Sequence, residues 1–430
     1  MNPGTGGQPR TDEHGRLVTK VVLPGYPITI HPPTVAYPYH RIVYTIEGQR
    51  KTTSGGVTAD AAMAKAEQLA DILDAEATRA NQPFTVLLDE WLAPDRARAR
   101  PWSLKTHEHN EWVAAKHVKP IIGNVQCVSL RREHMLRAVN HAPTPGEGRR
   151  VRTLLGTVIR YGYAHGYLTI PPDRLLLDVH WSRPGHRLPA HATEQGTDDT
   201  LWVPPEAIPS SNDVAFLAAA FLMLQPEGAP YWWGLTPMFA AYTGLRIGEL
   251  VGLKASDINT ATRTVRVERQ IVEVKGRKHV TLPKGNKRRT TIYPRTVPGG
   301  QWWDNGYPLA DLVALRVREV MAENPDGLMF PSKDGVWWTR SNFYDRRFHP
   351  AAAMAGWPTK PTTKRNGQPG ERLTWPWHHL RHVFCTHYLW TLGAAPADVS
   401  NAAGHADVNI TLRIYASQTT GSMERLTNLG

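Results

Sequence analysis

The chain has 430 residues, a length that predicts two or three domains, and 41% of them are hydrophobic, which excludes a wholly disordered chain. Lys and Arg number 50 against 38 Asp and Glu, a formal charge of +12 that favours a polyanionic partner, nucleic acid or an anionic membrane surface. The two cysteines, Cys127 and Cys385, exclude a disulfide scaffold and a four-cysteine zinc site, and two thiols fit a reducing cytoplasm.

From the N-terminus, residues 1–35 are rich in Gly, Pro and Thr and carry no apolar targeting segment; they read as a tail that orders on binding. Residues 39–53 alternate apolar and polar around a Gly, which predicts a β-hairpin. Residues 58–77 follow as a helix with Ala62, Ala66, Leu69 and Leu73 on one face and Asp60 as its cap. The segment 83–180 is helical in pattern. Phe84, Leu87, Leu88, Trp91 and Leu92 share a face, 106–118 and 131–140 are two further helices, and 149–165 places Val151, Leu154, Leu155, Val158, Ile159 and Tyr163 on one stripe. The opposite side of that last helix holds Arg149, Arg150, Arg152 and Arg160, equally a DNA-facing row or a solvated face. Residues 181–212 are Pro-rich and aperiodic, a linker. Beyond them the run 214–224 is apolar, too short for the ~20 residues of a membrane span and suited to a buried helix. Strands at 264–274, 280–282 and 290–293 follow, and then an α-helical end. The fold class expected is multidomain α+β. It comprises a small hairpin-and-helix unit (1–80), an all-helical unit (81–180), a linker (181–212) and a mainly helical unit with a small antiparallel sheet (213–430).

Four constellations carry chemistry. In Thr243-Gly-Leu-Arg246-Ile-Gly-Glu249, an arginine at a helix start can fork a phosphate beside free backbone N–H groups, with Glu249 one turn on to orient it. A surface Arg–Glu pair is the plain alternative. Residues 263–295 hold eleven Lys or Arg against Glu268 and Glu273, with Pro283-Lys284-Gly-Asn-Lys287-Arg288-Arg289 at a turn. A basic hairpin tip of this kind can enter a DNA groove, and a solvated charged turn has the same composition. His378 and Arg381 are three apart and share a helix face. His378 and His382 have the i,i+4 spacing of a zinc helix, but His379 stands where that helix needs Glu, so no metal site is assigned. Gly404-His405 ends an Ala-rich helix, and Tyr415 follows ten residues later in another.

In this order the four constellations resemble the tyrosine recombinase (phage integrase) family over about 213–425, with all six of its catalytic positions present: Arg246, Lys284, His378, Arg381, His405 and Tyr415. Residues 83–180, with Tyr161-Gly-Tyr-Ala-His-Gly-Tyr-Leu168 near their end, look like that family's core-site DNA-binding domain. The hairpin and helix at 37–78 look like the arm-site-binding domain of lambda-type integrases. Two departures, His379 in place of a frequent Asp and Ala403 in place of a frequent Leu, touch helix packing and no catalytic side chain.

The resemblance implies a cofactor- and metal-free transesterification on DNA. Tyr415 attacks a phosphate to give a 3′-phosphotyrosine, Arg246 and Arg381 clamp the non-bridging oxygens, and Lys284 protonates the leaving 5′-oxygen. His378 takes up the tyrosine proton and His405 hydrogen-bonds the phosphate. Arg41, Arg50, Lys51, Arg149, Arg150, Lys287, Arg288 and Arg289 are the expected DNA contacts. The implied activity is integration, and with it excision, of a phage or other mobile element. The implied partners are duplex attachment sites, three further copies of the chain in a tetramer on DNA, a host DNA-bending protein and a directionality factor. No membrane partner is implied, and the implied place is the cytoplasm and nucleoid of a bacterial host. A topoisomerase-like relaxase, a resolvase or chromosome-dimer recombinase, and a DNA-binding regulator on the same fold are the alternatives.

Overall fold

A computed structural model of the chain describes residues 10–11, 17–23, 26–46, 49–99, 101–182, 207–225, 230–324, 326–363 and 368–415. The chain divides into two compact units, Met1–His186 and Arg187–Gly430.

The first unit opens with an antiparallel sheet in sequence order: β1 (Arg10–Thr11), β2 (Leu17–Leu23), β3 (Tyr26–His31), β4 (His40–Ile46) and β5 (Gln49–Gly56). The expected hairpin is the β4–β5 pair, but the sheet also takes three strands from the segment expected as a tail. Gly and Pro content hid the alternation in Tyr-Pro-Ile-Thr-Ile-His at 26–31, whose Ile28 and Ile30 are buried with Ile42 against Ala62, Ala66 and Ala70. Those alanines belong to α1 (Ala59–Ala80) and let the helix lie close on the sheet; a Cβ added at Gly55 would sit 2.9 Å from the Ala62 methyl. The cap is Thr58, one position outside the helix, whose hydroxyl accepts from the Ala61 N–H at 3.3 Å. Asp60 instead occupies the first turn, where its charge meets the positive end of the helix.

A helical bundle completes the unit: α2 (Phe84–Leu92), α3 (Leu104–Val113), α4 (Lys119–Ile122), α5 (Arg132–His141), α6 (Pro145–Ala164) and α7 (Pro172–Leu175), with one wide helical turn at Ala114–Val118 joining α3 to α4. The expected stripe of α6 is its core face, except that Tyr163 stays 45% exposed. Trp181, expected in the linker, is buried in this core and donates its indole N–H to the Ala142 carbonyl at 2.9 Å. The bundle therefore runs past residue 180, the expected boundary.

The second unit begins with α8 (Ser211–Met223) and the wholly buried α9 (Trp232–Thr243), followed by α10 (Ile247–Val251). Its main sheet has the order β10 (Arg289–Ile292), β7 (Thr264–Val267), β6 (Ile258–Asn259). The single strand expected over 264–274 is two. At Arg269, which turns in to fork the buried Asp257 at 2.5 and 3.1 Å, the chain leaves the sheet. It then builds a separate hairpin from β8 (Gln270–Val274) and β9 (Arg277–Thr281). Helices α11 (Leu309–Glu323), α12 (Arg340–Phe343) and α13 (His349–Met354) and the hairpin β11 (Thr359–Thr363)–β12 (Pro369–Leu373) pack next. The end is α14 (His379–Thr386), α15 (Pro396–Ala403) and α16 (Val408–Tyr415). Among the described residues, no helix is long and apolar enough to cross a membrane.

Candidate active site

Four of the six expected catalytic positions, Arg246, Lys284, His378 and His405, sit at turns or helix starts, where backbone ends and polar side chains can meet. Helix α9 ends at Gly244 in a left-handed conformation (φ 67°), and a Cβ there would lie 2.8 Å from the Phe384 ring, so both space and dihedral select glycine. The reversal puts Arg246 in the extended position before α10, where its backbone N–H donates to Glu249 Oε2 at 2.9 Å. Its side chain donates to Glu249 Oε1 at 3.1 Å and to the Gly404 carbonyl at 2.9 Å. Glu249 thus orients Arg246, as its position one turn on predicts.

Helix α14 begins after His378 and buries Arg381, which is 3% exposed. Arg381 Nη1 donates to the Gly244 carbonyl at 2.7 Å, while its Nη2 is buried with no hydrogen-bond partner among the described residues. Burial first, and then the like charge of Arg246, pull its pKa down to about 10, so it stays charged at neutral pH. At the far end α15 closes on Gly404, also left-handed (φ 70°), and the turn delivers His405, whose Nδ1 hydrogen-bonds the buried Thr411 hydroxyl at 2.7 Å. Tyr415 is the last residue of α16, one turn beyond Thr411; its side chain lies outside the described residues.

The basic turn divides in three. Lys284 is exposed beside the left-handed Gly285 and Asn286, and its charge is felt at His378. Lys287 is exposed, and Arg288 pairs with Glu268 at 3.0 Å. Arg289, expected on the DNA side with them, faces inward: both its terminal nitrogens fork Glu249 at 2.8 and 2.7 Å, and its side chain is 8% exposed. Strand alternation is the signal that finds it. Arg289 is two residues from the buried Thr291, hence on the same face of β10.

Burial would raise the carboxyl of Glu249, but the fork from Arg289 and then the charge of Arg246 hold it below the usual carboxylate range. Three arginines therefore surround one buried carboxylate, leaving a net positive pocket. Its histidines are neutral. Burial first, and then neighbouring positive charge, pull His405 and His382 down to about 3 and His378 to about 4. His378 reaches the surface, so the two more enclosed rings carry the consequence for stability.

In the unfolded chain each titrates near 6.5, so between pH 6.5 and about 3 the unfolded state binds more protons than the folded one. Stability should fall as pH drops through 6.5 and continue falling toward 4. Glu249 adds its own loss only below about 4.5. The melting temperature should be lower at pH 5 than at pH 7.5 at fixed ionic strength, with a shallower drop in His382→Asn. Equal slopes in the two proteins would contradict the buried neutral rings.

The other expected contacts lie in the first unit. Arg149 and Arg150 are exposed on α6 and line a groove of about 550 Å³ with Trp91, Trp102 and His109. Arg98 stacks on Trp102 at 3.9 Å and Arg96 on Tyr161 at 4.1 Å, two cations in the unpatterned 93–103 loop that periodicity cannot find. Arg152 is held inside by the Val179 and Leu176 carbonyls at 2.9 and 3.3 Å. Arg50 and Lys51 are exposed on β5, and Arg41 lies 4.5 Å over the Tyr37 ring.

The pocket and the short helix that ends in Tyr415 both lie within the part of the chain that resembles known proteins. Residues 222–421 match the phage integrase family. The tyrosine recombinases XerD of Yersinia pestis and of Proteus mirabilis are each 32% identical to this chain, over 184 and 183 residues. These stretches are 43% of this chain and 49% and 46% of the respective relatives. The chain thus spans about half the length of the curated relatives it matches. A solved structure of the Tn1549 transposon integrase with circular intermediate DNA shares the fold. The TM-score is 0.53 at 15% identity, covering 81% of this chain and 99% of that one. The likeness to the phage integrase family and to the tyrosine recombinases thus lies in the second unit, over residues 222–421.

Proposed function

We propose that the chain is a site-specific DNA recombinase of the integrase type, cutting and rejoining duplex DNA through a 3′-phosphotyrosine at Tyr415. The observation that carries this reading is the buried Nη2 of Arg381 beside Arg246, without a partner among the described residues. A buried donor without a partner is costly in a resting protein, and a phosphate oxygen satisfies it.

As Tyr415 attacks, charge grows on the non-bridging oxygens. Arg246 and Arg381 meet it, each preorganised donor supplying about 3 kcal/mol of transition-state stabilisation. Neutral His378 can accept the tyrosine proton, and neutral His405, held through Nδ1, can offer Nε2 to a phosphate oxygen. Lys284, on its exposed turn, protonates the departing 5′-oxygen. The bond energy is kept in the phosphotyrosine, so rejoining needs no nucleotide cofactor.

Arg149 and Arg150, exposed on α6, suit phosphates along the core site. Arg41, Arg50 and Lys51 on the N-terminal sheet suit a second, flanking site. That extra unit favours an integrase of a phage or mobile element, acting as a tetramer on two duplexes with host bending and directionality factors, over a chromosome-dimer resolvase.

The test uses DNA flanking the gene, in EDTA. The unaltered chain should cleave it, and Lys284→Ala should slow cleavage by about 10²-fold or more. On a substrate with sulfur in the 5′-bridging position, whose leaving group needs no proton, the variant should cleave at close to the unaltered rate. Cleavage that requires Mg²⁺ would overturn the metal-free mechanism, and an equal defect on both substrates would overturn the role of Lys284 as the acid.

A further inference from the structure

Arg289 is the least DNA-like cation of its turn and the most thoroughly engaged. Besides forking Glu249, its Nε donates to the Ala402 carbonyl at 2.9 Å. A Cβ at Gly404 would meet its Cδ at 2.7 Å, so the 402–404 turn lies directly against its stem. One side chain therefore joins three parts of the site: β10, which carries the Lys284 turn; α10, which carries Arg246; and the turn that delivers His405.

We propose that Arg289 is a positioning residue of the strand-cleavage centre, neutralising Glu249 so that Arg246 keeps donors for the scissile phosphate and clamping the turn that sets His405 beside it. The proposal rests on the recombinase reading. Its physical basis is the burial of Glu249, which is 1% exposed. A buried carboxylate stripped of one partner recruits another, because an unpaired interior charge is far costlier than a rearranged pair. The nearest remaining cation is Arg246, already 3.1 Å away. Without Arg289, Arg246 turns fully onto Glu249 and away from the phosphate.

Three variants of the full chain separate this from a packing role. Arg289→Met removes the charge and keeps the bulk; single-turnover cleavage should fall about 10²-fold. Adding Glu249→Gln removes the carboxylate that would capture Arg246. The double variant should regain most of that loss, whereas two independent packing defects would add. Arg289→Lys keeps the charge but cannot fork, and should lose about tenfold. Titration of the His405 ring by NMR needs no DNA. Its midpoint should rise in Arg289→Met, return toward the unaltered value in the double variant, and stay put in Arg289→Lys. If the unaltered chain cleaves no DNA yet His405 moves in this pattern, the recombinase reading fails and the electrostatic role of Arg289 stands. If the double variant is no better than Arg289→Met and His405 titrates alike in all variants, the proposal is wrong.

Discussion

Arg381→Ala should lower the rate of strand cleavage by about 10³-fold, some 4 kcal/mol of transition-state stabilisation, while leaving DNA affinity nearly unchanged. The size follows from where the guanidinium sits. It is 3% exposed, one nitrogen is anchored to the Gly244 carbonyl, and another has no partner among the described residues. An exposed phosphate-binding arginine would contribute mostly to affinity. A buried one with a spare donor is spent on the state in which phosphate charge is greatest. Alanine also strands the Gly244 carbonyl, so some thermal stability should be lost with it. Arg381→Lys separates the two effects. It retains charge, and largely stability, but lacks the planar fork, and should still cleave about 10²-fold more slowly. A large fall in DNA affinity with an unaltered rate of cleavage in the bound complex would place Arg381 outside the reacting centre.

Local placements closed over a few residues are legible in the sequence. Arg246 with Glu249, His378 with Arg381, and Gly404-His405 occupy the positions their local patterns predict, because each pattern is closed within one helix turn or one chain reversal. The misses are contacts closed over long sequence distances. Nothing local says that Arg289 reaches Glu249, forty residues away, or that His379 meets the Ala207 carbonyl at 2.5 Å. Nor does a basic run show which of its members turns inward, unless strand alternation is counted from the buried Thr291. The N-terminal strands are obscured by Pro27 and by the neighbouring glycines, although Ile28 is as deeply buried as any core residue. The strand break at Arg269 follows from the buried Asp257, a partner supplied by a separate turn. Spacing locates Tyr415, and the Thr411–His405 hydrogen bond ties its helix to the pocket one turn earlier.

In the proposed mechanism strand cleavage rests on a single hydroxyl, that of Tyr415. Tyr415→Phe deletes it alone, so folding and DNA binding should persist while cleavage falls by about 10⁴-fold or more, since no second nucleophile is assigned. The decisive measurement uses the full chain in EDTA with a 5′-bridging phosphorothiolate duplex from the DNA flanking its gene, a substrate on which the covalent intermediate accumulates. Proteolysis and mass spectrometry of the adduct then identify the linked residue. The expected result is a DNA 3′-phosphate attached to the peptide containing Tyr415, and no adduct from Tyr415→Phe. An adduct on another residue, or one that forms equally well with the Phe variant, would contradict the assignment of Tyr415 as the nucleophile.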